Sequence, residues 1–283
     1  MQRSQRNLIA VLGLLASLYL AACGYLWSQQ IDLVFEPSPT LQSNPARLGM
    51  AYQEVHVPVG SNGLLDGFWV PASAVNAPTV LYFHGNYRNI GNNLEHTRNL
   101  HQLGFNVLLV DYRGFGRSTG AAKPSEAQVY EDAEAAWRYL TQVRGIPAKQ
   151  AFIYGHSLGG AIAIDLASRH PEAAGLIADS TFTSMADMGR LNYGFLPIDW
   201  LITQRFESLK KVASLKLPVL FIHGTWDKKI PVEMGKQLYA AAPQPKTLLL
   251  IEGGEHNNCA TIGWVEYRNA VTAFVQQNLT RPR

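Results

Sequence analysis

The 283-residue sequence predicts one α/β domain on a mostly parallel, doubly wound sheet, entered through a separate apolar N-terminal segment. Three observations carry this. Short apolar runs alternate with longer amphipathic stretches, the pattern of buried strands joined by crossover helices. Charged residues make up only 16% of the chain, against roughly 25% in an average domain, as a sheet covered on both faces requires. Arg3 and Arg6 are the only charges before Asp32.

Residues 8–27 carry no charge and are long enough to cross a bilayer. A basic start followed by an apolar run also has the form of a signal peptide, so residues 1–30 are set apart from a domain at 31–283. Leu20-Ala21-Ala22-Cys23-Gly24 resembles the lipobox of bacterial lipoproteins, which implies cleavage before Cys23 and lipidation of its sulfur. The other reading is an uncleaved membrane anchor in which Cys23 is one small apolar residue. Either way the cationic end stays in the cytoplasm and the domain lies outside it.

Residues 32–75 contain five prolines and alternating segments at 52–57 and 67–70, predicting an extended stalk and then an antiparallel hairpin on the sheet edge. Parallel strands buried on both faces are expected at 79–83, 106–110, 151–154, 175–178, 218–222 and 247–251. Helices are expected over 126–144, opened by Ser125 with Gln128 as a capping box, and over 158–169, 231–242 and 264–279. Residues 181–216 break the alternation with many aromatic and methionine side chains and predict a small helical insertion. Lying between two strands, it would sit over their carboxyl edge as a lid.

A formal charge of +3 excludes a nucleic-acid-binding footprint. Two cysteines exclude a disulfide scaffold and a thiolate zinc site. The partner expected from these features is a membrane at the N-terminus, with no nucleic acid, no metal and no cofactor, in a monomer.

The chemistry gathers where strands end. Gly155-His156-Ser157-Leu158-Gly159 follows a strand and opens a helix, which is the nucleophile-elbow pattern G-x-S-x-G in its strand-turn-helix context. Glycines two before and two after the serine remove side chains that would clash in so tight a turn. Asp227 follows the strand at 218–222, and His256 follows the strand at 247–251. A serine hydroxyl is a weak nucleophile unless a histidine takes its proton, and the aspartate orients that histidine. Ser157, Asp227 and His256 are therefore the candidate catalytic residues. Asp179, one strand earlier, is a competing acid. The developing oxyanion needs donors, for which the backbone N–H groups of Leu158 and Asn86 are the candidates, with Tyr87 as the fallback.

Three patterns are set aside. Gly114, Gly116 and Gly120 have the wrong spacing for a dinucleotide loop. His96 and His101, five apart on a helix, diverge and cannot pair on a metal. Cys259 has no elbow around it.

Together, His84-Gly85-Asn86, the segment from Asp111 to Ser118, the elbow, Asp227 and His256 resemble the α/β-hydrolase-fold serine hydrolases of the serine-aminopeptidase and monoacylglycerol-lipase type, membrane-anchored bacterial members in particular. The resemblance covers roughly residues 50–280. It implies an α/β-hydrolase fold and acyl transfer through Ser157 to water, on an acyl ester such as a lysophospholipid, a monoacylglycerol or a short-chain ester. The alternatives are peptide hydrolysis at a free N-terminus, with Asp187, Asp199 or Glu207 receiving the amine, and an inactive tethered binding protein. Gly254-Glu255-His256-Asn257 departs from the Gly-His of many relatives, which leaves the path of that loop open.

Overall fold

The computed structural model describes residues 3–280; the outermost positions of both predicted segments, 1–2 and 281–283, lie outside it. Helix α1 (Arg3–Val34) leads into a hairpin, β1 (Gln53–Val59) and β2 (Gly63–Val70). Six further strands follow: β3 (Thr79–Phe83), β4 (Asn106–Val110), β5 (Ala151–His156), β6 (Gly175–Asp179), β7 (Val219–Gly224) and β8 (Lys246–Ile251). The sheet order is β8-β7-β6-β5-β3-β4-β2-β1, with β1 and β2 antiparallel and β3 to β8 parallel.

Strand periodicity divides the core in two. Leu81, Phe83, Leu108, Val110 and Ile153 face one layer, while Val80, Tyr82, Val107, Leu109 and Phe152 face the other. The first layer is covered by α3 (Glu126–Arg138), α4 (Leu158–Arg169) and α8 (Val232–Ala241). The second is covered by α2 (Leu94–Gln102) and α9 (Trp264–Leu279). Covering both faces explains why the parallel strands are apolar throughout. β8 departs from the expectation of a strand buried on both faces: it pairs only with β7 at the edge, and Leu250 is exposed.

Ser125 caps α3 by accepting from the N–H of Gln128. The α-helix stops at Arg138 and the chain continues to Val143 as a π-turn, so the predicted single helix is two pieces.

The predicted stalk is also corrected. α1 runs unbroken to Val34, and the next residue, Phe35, is buried against Phe115 and Phe206. Glu36–Pro37 then pairs in parallel with Tyr87–Arg88. The chain leaving α1 is built into the domain because its apolar side chains have a core to enter.

The insertion folds as α5 (Met185–Tyr193), α6 (Ile198–Leu201) and α7 (Ser208–Val212). Ser184 caps α5 by accepting from the N–H of Asp187.

Candidate active site

β5 delivers the chain to Ser157, which sits at φ 57° and ψ −122°, and α4 begins at the next residue. Such a conformation costs an L-residue of the order of 1–3 kcal/mol, so the surroundings must hold it. They do: the Ser157 N–H donates to the Asp179 carbonyl (3.0 Å), and the Ser157 carbonyl accepts from the Gly160 N–H (2.9 Å) and the Thr181 hydroxyl (2.8 Å). The flanking glycines have steric reasons. A Cβ at Gly155 would lie 2.1 Å from the Gly159 carbonyl oxygen, and one at Gly159 would lie 2.0 Å from that of Phe83.

His256 Nε2 lies 3.0 Å from Ser157 Oγ, and His256 Nδ1 lies 2.7 Å from Asp227 Oδ2. The other Asp227 oxygen accepts from the N–H groups of Lys229 and Ile230, both at 2.9 Å. Burial would raise the Asp227 pKa, but hydrogen bonds from His223 and His256, the charge interaction with His256 and the Ile230 N–H outweigh it and hold the carboxyl well below the usual carboxylate range. An ionised carboxylate only accepts. It therefore requires the proton on Nδ1, which leaves Nε2 free to accept from the serine hydroxyl.

Asp179 does not reach His256. Its carboxylate accepts from the hydroxyls of Tyr154 (2.6 Å) and Ser180 (2.9 Å), which ties β6 to the start of the lid. Cys259 is buried, and burial pushes its thiol well above the usual range, so it remains protonated.

Asn86 and Leu158 line the same cavity as Ser157 and His256. The loop after β3 passes close to the nucleophile, since a Cβ at Gly85 would touch Ser157 Cβ at 3.4 Å. Leu158 is the first residue of α4, where backbone N–H groups have no partner within the helix. Tyr87 is engaged instead in the short pairing with Glu36. His84 braces the turn: its Nδ1–H donates to the Gly85 carbonyl (2.7 Å), and its own carbonyl accepts from the Tyr112 hydroxyl (2.8 Å).

The cavity holds about 430 Å³. Met185, Met188, Ile198 and Ile202 of the lid line one side, and Leu26, Gln30, Leu33 and Val34 of α1 line another. Gln30 is buried, accepting from the N–H (2.7 Å) and the hydroxyl (2.9 Å) of Thr203 and donating to the Leu201 carbonyl (3.4 Å). Cys23 sits in mid-helix, half-buried against the lid residues Leu196 and Ile198.

Sequence reasoning missed three contributors. The sequence marks α1 as an anchor and not as a wall of the cavity. His223 donates to the Ile230 carbonyl (2.9 Å) and approaches Asp227 Oδ2 at 3.5 Å. His156 donates to the His256 carbonyl (2.8 Å). A signal for both was present: four of the eight histidines, His84, His156, His223 and His256, stand at or just beyond the carboxyl ends of strands, where solvation alone would not collect them.

Comparison with known proteins agrees with this architecture. The serine aminopeptidase, S33 family model matches residues 75–210. An uncharacterized protein of Mycobacterium tuberculosis is 34% identical over 270 residues, covering 95% of this chain and 94% of its own. The alpha/beta hydrolase domain-containing protein WAV2 of Arabidopsis thaliana is 29% identical over 282 residues, 91% of each chain. Among solved structures, an esterase of Pyrococcus furiosus superposes with a TM-score of 0.71 at 21% identity, covering 86% of this chain and 99% of the other, a likeness of fold. The elbow, the sheet order and these relatives together mean that the chain belongs to the α/β-hydrolase family of serine hydrolases.

Proposed function

We propose that this protein is a membrane-tethered serine esterase that cleaves carboxylic esters carrying an acyl chain, such as a lysophospholipid, a monoacylglycerol or a short-chain ester. The observation that carries the reading is the hydrogen-bonded series Ser157–His256–Asp227 at the floor of a largely apolar cavity. His256 Nε2 takes the proton as Ser157 Oγ attacks the ester carbonyl carbon. The N–H groups of Asn86 and Leu158 then hold the oxyanion. Collapse breaks the C–O bond, and the alcohol leaves with the proton from His256. A water molecule attacks the acyl-enzyme by the same route, releasing the fatty acid and restoring the serine.

Ester substrates are favoured over peptides because the three lid carboxylates suited to an amine have other partners. Asp187 and Asp199 both pair with Arg190, and Glu207 pairs with Lys210. Glu36 on the cavity wall favours the aminopeptidase reading. Hydrolysis of p-nitrophenyl acyl esters against aminoacyl anilides separates the two, and turnover of the anilides alone would remove the esterase. A retired hydrolase would leave Ser157 unlabelled by a fluorophosphonate probe.

The tether is α1, which is long and apolar enough to cross a membrane, with its mid-section exposed. Its continuity through Cys23 and the packing of that residue against the lid support the uncleaved anchor over lipidation at Cys23. The catalytic domain then faces the extracytoplasmic side, opposite Arg3 and Arg6.

A further inference from the structure

The cavity wall and the membrane span are one helix, and this has a consequence for how substrate arrives. Counted from Leu8, the apolar run ends at Trp27, a length of about 30 Å at ~1.5 Å per residue, which fills the hydrocarbon layer. The lid joins α1 before that run ends. Ala22, Cys23 and Leu26 pack against the lid cluster of Ala186, Leu196 and Ile198, and Gln30 fastens the helix to Thr203 one turn further on. The lid is thus held at the level where the helix leaves the bilayer.

Its outer surface has the composition expected there. Trp200 is 91% exposed and Phe195 70%, and neither lines the cavity. Tyr25 and Trp27 of α1 are exposed at the same height. Aromatic side chains gather at membrane–water interfaces because their amphipathic rings suit the headgroup region. Between Met185 and Leu201 the charged residues are Asp187, Arg190 and Asp199, and Arg190 pairs with both carboxylates, so little unpaired charge on this face opposes contact with headgroups. In water, by contrast, so large an apolar patch would be a liability.

We propose that the outward face of the lid, centred on Trp200 and Phe195, rests in the bilayer interface. Acyl lipids of that leaflet then pass into the cavity along α1, between Leu26 and Leu33 on the helix and Met188 and Ile202 on the lid. This rests on α1 spanning a membrane and on Ser157 acting as an esterase nucleophile. It adds that the docking surface is the bilayer itself and that the anchor helix forms part of the entry route.

The test uses the full chain reconstituted in phosphatidylcholine vesicles. Tryptophan emission is compared between vesicles with and without lipids brominated near the headgroup, for the wild type and Trp200→Phe. The proposal requires quenching that is reduced by the substitution; equal quenching in the two proteins overturns it, as does a Trp200 contribution quenched by aqueous iodide and not by bromolipid. Kinetically, Phe195→Ser with Trp200→Ser should lower hydrolysis of a vesicle-embedded monoacylglycerol roughly tenfold, the scale of withdrawing one or two partly inserted side chains. Turnover of dissolved p-nitrophenyl butyrate should stay within about twofold, because neither residue lines the cavity. A parallel fall on both substrates, or no fall on either, overturns the proposal. If the wild type cleaves neither ester, the esterase reading fails while the quenching measurement still decides the docking surface.

Discussion

The side-chain amide of Asn86 donates to the carbonyl of Val34 at 3.1 Å, and the carbonyl of Asn86 accepts from the N–H of Glu36 at 3.0 Å. The last turn of the apolar helix is therefore bonded from both sides to the loop that carries a proposed oxyanion donor. Without that clamp the loop would keep its N–H but lose its fixed aim, and fixed aim is what makes such a donor effective. Asn86→Ala should lower kcat on a dissolved ester about tenfold with KM nearly unchanged, less than the roughly 10²–10³ of removing the donor outright. An unchanged kcat would separate the helix from the chemistry.

Replacing Ser157 with Ala should abolish fluorophosphonate labelling and ester turnover. Asp227→Asn should leave the fold intact and lower kcat by roughly 10³–10⁴, because an amide no longer enforces the proton on His256 Nδ1. Retained labelling in Ser157→Ala would assign the nucleophile elsewhere.

Stability should fall with acidification in a range set by His156. Burial, joined by the charge of His256, lowers its pKa to about 4, whereas in the unfolded chain it titrates near 6.5. The unfolded state thus takes up the proton first. The stabilisation is complete above about pH 6.5 and drains as pH falls toward 4, by up to about 3 kcal/mol. His96, also lowered by burial, acts in the same direction. Asp132, raised to about 6 by burial, acts in the opposite one. The His156 share is therefore read from His156→Gln, whose amide can still donate to the His256 carbonyl. Its melting temperature should fall less between pH 7 and 4.5 than that of the wild type; equal falls would count against the assignment.

Gly159→Ala should destabilise the domain by more than about 3 kcal/mol, since the new methyl would meet backbone that is fixed by the β3–β5 pairing and cannot yield. Thermal denaturation measures it, and a melting temperature near wild type would mean that the elbow relaxes.

At the N-terminus, the intact mass of membrane-extracted protein should correspond to a chain that retains α1 without lipid on Cys23. A diacylated product beginning at Cys23 would restore the lipoprotein reading, and Cys23→Ser would then accumulate as uncleaved precursor.

The order of strands and helices, the elbow and the positions of Asp227 and His256 were legible in the sequence because each depends on local pattern. Buried parallel strands are apolar throughout, a strained serine turn needs small neighbours, and polar residues at strand ends meet at one edge of the sheet. What needed the tertiary structure were contacts between residues far apart in the chain. Periodicity describes which face of a helix is apolar but not what covers it, so the end of α1 as a cavity wall, fastened by Gln30 to Thr203 across 173 positions, was invisible in the pattern. Which acid approaches the histidine likewise depends on space: Asp227 comes within 2.7 Å of His256, whereas Asp179 accepts from the hydroxyls of Tyr154 and Ser180. Local sequence determined which groups stand at the sheet's edge, and packing decided which of them face one another, because a hydrogen bond is set by distance and direction and not by separation along the chain.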